Sequence, residues 1–501
     1  MSDSDTLASS SHGSPKTIEA SSATTDVEKA LARKNDDKED VLLVGFDEDD
    51  KLNPRNWTTR HKVWCTFILA MLAFAASLGS SIISPANRTI AAYTNVSDQV
   101  MVFDISLYLL GFAFGPILWA PISEIWGRRW SMLPAMFCLG VFSIGTATSK
   151  TAASILVTRF FGGVFASAPV SNVSAAMGDM YEPYHRGTAI SLYAIAVVGG
   201  PTLGPIIGSA LTAKVSWRWT EYLQAIFTFA VVALAFFCLP ESYAPVLLKR
   251  KAQRLRKDTG KAFHHPHEEI KLDVRSILTK HLARPLRMLI TEPMITVIAV
   301  YASFVYAILY MSLEWLPIVF EDIRGYGPIV STLPFLGLFI GIVVALAINL
   351  GNQVYYHKAV AKNNGKAVPE ARLPPMMIGS VLFAGGLFWF GWTSSPKYHW
   401  ILPTFALGFV GAGFSCIFQQ CINVLVDSYS VYAASAVSAN TILRSVLAAG
   451  LPFAVTPMYT SLGVPVSFSI LGALAGIAIP VPFIFAKYGA RLRARSSFSQ
   501  P

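Results

Sequence analysis

Ala120-Pro-Ile-Ser-Glu124-Ile-Trp-Gly127-Arg128-Arg129 places a carboxylate, a glycine and two guanidinium groups within ten residues. Apolar runs flank it, at residues 100–122 and 130–149. Each is long enough to cross the ~30 Å hydrocarbon core of a bilayer as a helix. A tight turn between them needs Gly127, while Glu124 and the two arginines set opposite charges at neighbouring helix ends. The stretch therefore reads as a membrane hairpin with a charged bend. Such a cluster can hold two helix bundles together on one side and release them when a charge is neutralised or displaced.

Working outward, ten more spans follow, at about 63–84, 153–178, 188–212, 219–239, 293–316, 328–350, 374–394, 399–425, 432–456 and 464–486. Composition agrees: of 501 residues, 53% are hydrophobic and 14% charged, against about a quarter charged in ordinary soluble proteins. Twelve spans of ~20 residues consume ~240 positions, which excludes a chain of soluble domains. Residues 1–50, with 13 acids, 5 bases and Phe46 as their one aromatic, read as a disordered cytoplasmic tail. The remaining divisions are a six-helix bundle over 51–239, a basic connector over 240–290 with 12 Lys and Arg, a second six-helix bundle over 291–486, and a tail over 487–501.

The net charge of +10 lies in the segments between spans, where it sets topology and meets lipid headgroups, so nucleic acid is not an expected partner. With both termini cytoplasmic, 32 of the 40 Lys and Arg are inside and 6 outside. The first external loop carries two glycosylation candidates, Asn87-Arg-Thr89 and Asn95-Val-Ser97. All five cysteines fall within spans, so neither a disulfide framework nor a structural zinc is expected. His264-His265-Pro-His267 sits in the polar connector without Cys partners and reads as a solvated loop, so no metal site is expected. No glycine loop is followed by a Walker lysine, which leaves ATP-driven export and enzyme chemistry unsupported.

An internal repeat at an offset of 248 matches Asp179, Tyr181 and Tyr184 to Asp427, Tyr429 and Tyr432, and Gly163 and Ser167 to Gly411 and Ser415. Arg159 maps to Leu407, so the repeat itself does not require that arginine. A charge inside a span is a functional candidate by default. Among carboxylates in the external half, Glu314 is the first choice and Asp104 the second for carrying a proton; Glu221 stands at the membrane surface, where pairing with Arg218 is an equal reading. Asp427 balances charge at a cytoplasmic helix end. Tyr306, Tyr310, Phe335, Phe339, Gln419, Gln420 and Asn440 are the expected lining of a substrate cavity. In span 5, Gly200-Pro201-Thr-Leu-Gly204-Pro205-Ile-Ile-Gly208 puts glycines at i, i+4 and i+8, one smooth face for a neighbouring helix.

These stretches carry a resemblance. Ala120 to Arg129 resembles the loop 2–3 motif of the major facilitator superfamily, Gly-x-x-x-Asp-x-x-Gly-Arg-Arg/Lys, with Ala120 and Glu124 replacing its first two fixed positions. Arg159-Phe-Phe-Gly-Gly163 is similar to the family's Arg-x-x-x-Gly of span 4. The span 5 run is similar to the motif of the antiporter branch, with Ser209 for its last glycine. Trp217-Arg-Trp-Thr-Glu221, Pro240-Glu-Ser-Tyr-Ala-Pro245 and Ala439-Asn440-Thr-Ile-Leu-Arg444-Ser look like fungal drug:proton antiporters of the twelve-span type, a likeness running from about Asn53 to Tyr488.

The resemblance implies an all-α major facilitator fold, twelve transmembrane helices in two pseudo-symmetric six-helix bundles that rock around a midplane site. It implies proton-driven export of drugs, toxins or secondary metabolites across the plasma membrane, by a monomer without a cofactor. Arg159 would couple protons, together with Glu314 or Asp104. Asp179 would partner Arg128 and Arg129, and the cluster with Glu124 would stabilise the outward-open state. Polyamine or organic-acid export, uptake symport and a vacuolar or vesicle membrane remain alternatives on the same fold.

Overall fold

Backbone in hydrocarbon must satisfy its own polar groups, and an α-helix does so within one segment. The computed structural model describes residues 42–261, 263–268, 279–363, 368–429, 432–494, 496 and 498. Its first half holds α1 (Thr59–Leu78), α2 (Phe103–Trp126), α3 (Arg128–Thr148), α4 (Ala152–Met180), α5 (Pro183–Lys214) and α6 (Arg218–Cys238). The second holds α7 (Pro293–Pro317), α8 (Phe335–Lys362), α9 (Pro374–Thr393), α10 (Ile401–Tyr429), α11 (Ala433–Gly450) and α12 (Val455–Ala478). Thr58 and Thr151 cap α1 and α4 by accepting from His61 N–H and Ser154 N–H at 3.4 and 3.3 Å.

Eleven apolar runs in the described residues are long enough to cross a membrane, and the last, Ala433–Ala494, has 62 residues. As one straight helix it would be about 93 Å long. The chain instead folds back at Gly463, whose φ of 71° and ψ of 173° suit glycine. Ser467 Oγ donates to the Met458 carbonyl at 3.1 Å, a pair that a straight helix would hold about 13 Å apart. The turn lies inside α12 as bounded above, so the eleventh span runs from α11 into the first residues of α12 and the twelfth begins after Gly463.

The packing repeats itself. In the first half α2 packs on α4, α3 on α4 and α6, and α1 on α5; in the second, α8 on α10, α9 on α10 and α12, and α7 on α11. Adding six to each helix number converts one set into the other, which is the pseudo-twofold expected of a duplicated bundle. The halves meet along α2–α11 and α5–α8, two contacts that the same operation exchanges. Hydrogen bonds cross between halves at both ends and near the middle: Arg88 to Asp322, Ser209 to Thr332, Ser80 to Tyr310, and Gln419 to Ser191.

Two expectations need correction. Hydropathy ends span 8 near residue 350, but α8 continues to Lys362, because apolar content reports membrane thickness and not helix length. The tail expected to be disordered over 1–50 is docked from residue 42 onward; residues 1–41 lie outside the described residues. Leu42–Leu43 (β1) pairs in parallel with Phe263–His264 (β2) of the connector. Lys251, on the connector helix Ala244–Thr259, meets Asp47 and Asp50 at 3.1 and 2.7 Å. Averaging the composition of residues 1–50 hides the apolar Val41–Phe46 stretch and the acidic run that follows it, which the basic connector attracts. Below, the end of the bundle bearing this connector is the connector face, and the opposite end the distal face.

Candidate functional site

α1 stops at Leu78, and the Gly79 and Ser80 carbonyls just past its end need donors from elsewhere. Arg159 supplies them. Its Nη1 donates to Gly79 O at 2.6 Å and its Nη2 to Ser80 O at 3.3 Å, while Nη1 also reaches Glu221 Oε1 at 3.3 Å. The guanidinium lies 4.4 Å over the Tyr108 ring, whose hydroxyl donates to Ala76 O. Arg159 and Glu221 are 2% and 1% exposed. A helix C-terminus carries partial negative charge, so two carbonyls, a carboxylate and a π-face together compensate the buried cation.

The acid in contact with Arg159 is Glu221, which corrects its expected place at the membrane surface; neither Glu314 nor Asp104 is bonded to Arg159 among the described residues. Arg218, the other expected partner of Glu221, stacks on Tyr93 and Trp217 at 4.7 and 4.5 Å. Asp104 is fully buried at the start of α2, and among the described residues neither of its carboxylate oxygens has a hydrogen-bond partner. The Arg159 guanidinium and the Glu314 and Glu221 carboxylates act on it electrostatically. Glu314 lines a polar cavity of about 480 Å³ at the distal face, with Arg88, Asp98 and Asp322 on its walls. Arg88 and Asp322 close a bidentate pair there at 2.8 and 2.7 Å, which holds the arginine still further above its usual range.

The glycine stripe of α5 explains how α1 ends where Arg159 can reach it. A Cβ at Gly200 would strike Ser77 and Leu78, one at Gly204 would strike Ser81, and one at Gly208 would fall on the Ile82 carbonyl. Ser77 Oγ and Ser81 Oγ then donate to Ala196 O and Gly200 O, both at 3.2 Å. Pro201 and Pro205 lie in the same stretch inside α5.

At the connector face, Arg128 Nε donates to Asp179 Oδ2 at 3.0 Å and its guanidinium lies 4.4 Å over Tyr243. Glu124 is exposed and joins neither arginine among the described residues. The carboxylate that organises the bend is Glu241, just beyond α6. It accepts from the N–H groups of Arg128 (2.8 Å), Arg129 (3.2 Å), Ser242 (3.1 Å) and Tyr243 (3.0 Å), capping the first turn of α3. Gly127, at φ 98°, leaves the space that this carboxylate fills. Arg129 donates to Phe236 O. The second half repeats the device: Arg372 Nε donates to Asp427 Oδ2 at 3.0 Å and lies 3.4 Å over Tyr356, whose hydroxyl donates to the same carboxylate.

The expected cavity residues divide into two groups. Gln419 and Gln420 are buried in an amide network with Asn349, which sequence reasoning missed: Asn349 Nδ2 donates to Gln419 Oε1 at 2.9 Å, and Gln420 Nε2 to Asn349 Oδ1 at 2.7 Å. Tyr306 stacks on Phe418 at 5.6 Å, while Tyr310 shares a 2.9 Å hydrogen bond with Ser80. Asn440 is fully buried with no partner for either amide atom. Phe335 is buried at the start of α8, and no ring contact ties it to the Tyr306 group among the described residues. Of the glycosylation candidates, Asn95 is exposed in a left-handed turn, whereas the Asn87 amide is sealed inside, out of reach of a glycan in this state.

Comparison with known proteins agrees with this architecture. The chain is 43% identical over 462 residues to the efflux pump bik6 of Gibberella fujikuroi, covering 91% of this chain and 95% of the relative. It is 41% identical over 461 residues to the multidrug transporter TPO1_2 of Candida glabrata, covering 91% and 79%. Among solved structures, the proton:xylose symporter XylE superposes with a TM-score of 0.62 at 17% identity, over 86% of this chain and 96% of that one, a likeness of fold alone. The profile of the Major Facilitator Superfamily matches residues 69–452. With its duplicated six-helix halves, the chain belongs to the Major Facilitator Superfamily and is a multi-pass membrane transporter.

Proposed function

We propose that this transporter exports a small organic molecule from the cytoplasm in exchange for protons, by alternating access across the plasma membrane. Its relatives named as an efflux pump and a multidrug transporter support the direction. The excess of Lys and Arg at the connector face supports a cytoplasmic placement of that face and of both termini. The observation that carries the coupling is the buried Arg159–Glu221 pair, held against the broken end of α1 beside the glycine face of α5.

In this reading a proton enters through the distal cavity, meets Glu314 and passes to Asp104. An unpartnered carboxylate in a dry site is an uncompensated charge, and taking up a proton removes it. Loss of that charge alters the field on Arg159 and Glu221. A run of contacts then leads to the second half: Arg159 to Ser80 O, Ser80 Oγ to Tyr310, and Tyr310 to Tyr306 at 3.5 Å. The Arg88–Asp322 pair closes the distal face, and the Glu241, Arg128 and Asp179 cluster holds α2, α3, α4 and the exit of α6 together as one half rocks.

The test is intracellular accumulation of a compound panel in cells with and without the chain, at two external pH values. The expected result is lower accumulation of at least one compound in cells with the chain, with the difference larger at the more acidic pH. Equal accumulation across the panel, or a difference independent of pH, contradicts the reading.

A further inference from the structure

Arg444 is the second intramembrane arginine, and the coupling scheme does not use it. It lies 11 residues into α11, about 16 Å along the helix, near the middle of a ~30 Å hydrocarbon core. It is 5% exposed. Its guanidinium lies against a pair of stacked rings, 4.6 Å from the Tyr306 centroid and 4.9 Å from that of Phe418. Among the described residues it makes no ion pair and no hydrogen bond, and its Nε is sealed without a partner. One turn earlier on the same face, Asn440 is fully buried with both amide atoms unpartnered. Ser445 Oγ is likewise orphaned.

Arginine stays charged in proteins and presents a planar fork of donors matched to carboxylates. Buried polar groups are ordinarily satisfied, and here a permanent cation and a complete amide go unsatisfied on one helix face, beside the stacked rings of Phe414, Phe418 and Tyr306. α11 packs on α7 in its own half and on α2 of the other, so the helix that carries both residues stands where the halves part. We propose that Arg444 and Asn440 are the recognition site for the cargo's anionic oxygens, and that the cargo is a flat aromatic molecule bearing a carboxylate or a comparable anionic group. The guanidinium fork takes the anion, the Asn440 amide takes a second oxygen, and the rings stack on the aromatic body. A polyamine meets an unpaired positive charge here and is disfavoured. The identification of this ligand as transported cargo rests on the export reading above.

The test uses the purified full chain in nanodiscs with three probes of one shape and different charge: 2-naphthoate, 2-naphthamide and 2-naphthylmethylammonium, titrated calorimetrically. The expected result is 2-naphthoate binding about tenfold more tightly than the amide, with the ammonium weakest. Arg444→Gln should bring 2-naphthoate to the amide's level, and Arg444→Lys should restore part of the preference; retained amide binding shows that the variants are folded. Should Arg444→Gln fail to fold, the ranking of the three probes on the unaltered chain still decides. Equal binding of naphthoate and amide, a preference for the ammonium, or a preference that survives Arg444→Gln overturns the site. If naphthoate is bound but never moved by a pH gradient, the export reading falls and the site stands. If a neutral compound is moved while naphthoate is not preferred, the site falls and the export reading stands.

Discussion

Arg159 and Arg444 are both arginines buried among membrane helices, one in each half, and their surroundings are opposite. Arg159 has two helix-end carbonyls, a carboxylate and an aromatic face. Arg444 has two aromatic faces and no oxygen among the described residues. The difference assigns them different duties. A charge whose partners belong to the chain responds to proton and conformational events within it; a charge left without partners is arranged for something that arrives. The internal repeat does not impose this asymmetry, because Arg159 aligns with Leu407 and not with Arg444.

The largest way to break the comparison is Arg159→Gln. It strands Glu221 as a buried charge, and breaking one side of such a pair costs about 3–5 kcal/mol. Proton-driven transport in vesicles should be lost and the thermal midpoint should fall, whereas Arg444→Gln should leave the midpoint within a few degrees and reduce cargo affinity. If the two variants behave alike, the division of duties is wrong.

Next comes the notch that lets α1 reach Arg159. Gly208→Val drives a side chain into the Ile82 carbonyl and should cost about 1–3 kcal/mol by overpacking, read as a lower midpoint and slowed transport. Gly476→Val, on α12 with open space around it, should change neither.

An effect of similar size separates the two acids of the connector bend. Glu241→Gln weakens a carboxylate that caps four N–H groups and should cost about 1–3 kcal/mol. Glu124→Gln, at an exposed site, should stay within about 0.5 kcal/mol. Thermal unfolding of the two variants side by side measures the contrast.

The smallest effect concerns the docked tail. The Lys251 ammonium, followed by the Leu52 N–H, holds the Asp50 carboxyl below its usual range. A depressed carboxylate contributes above its unfolded pKa and loses the contribution as pH falls through its folded value. The protection of residues 42–50 against hydrogen exchange, taken relative to the intrinsic amide rate at each pH, should therefore be high at neutral pH and should fall in acid below about pH 4, the ordinary carboxylate range. Protection unchanged by acid would show that the β1–β2 pairing holds the tail alone.

The twelve spans were legible because lipid leaves so few options: a long apolar run has to be a helix. The gap read between the last two spans, 456–464, contains the turn at Gly463. What hydropathy could not supply was which side chains meet. Arg159 stood out as a charge in a span, but its partner depends on how α6 is rotated, and Arg218, three residues from Glu221, drew the pairing away. Glu241 lies 113 positions from the Arg128 N–H that it accepts, and a loop acid among many carries no periodic signal. Gln419 and Gln420 were read as cavity lining because amides in spans suit ligands; that Asn349, 70 residues before Gln419, bonds to both carried no signal in the sequence. Asn440 was read as cavity lining from its place in a span, while the bareness of Arg444 is a statement about missing neighbours, which no single sequence position encodes.

The most direct test of the exchange of protons for cargo is uphill movement in sealed vesicles containing the purified chain, with the pH difference and voltage set independently. The account predicts that cargo accumulates against its gradient while a proton gradient is imposed and runs back down when an ionophore collapses it, and that Arg159→Gln vesicles show neither phase. Equal uphill accumulation with no pH difference and no voltage would contradict it.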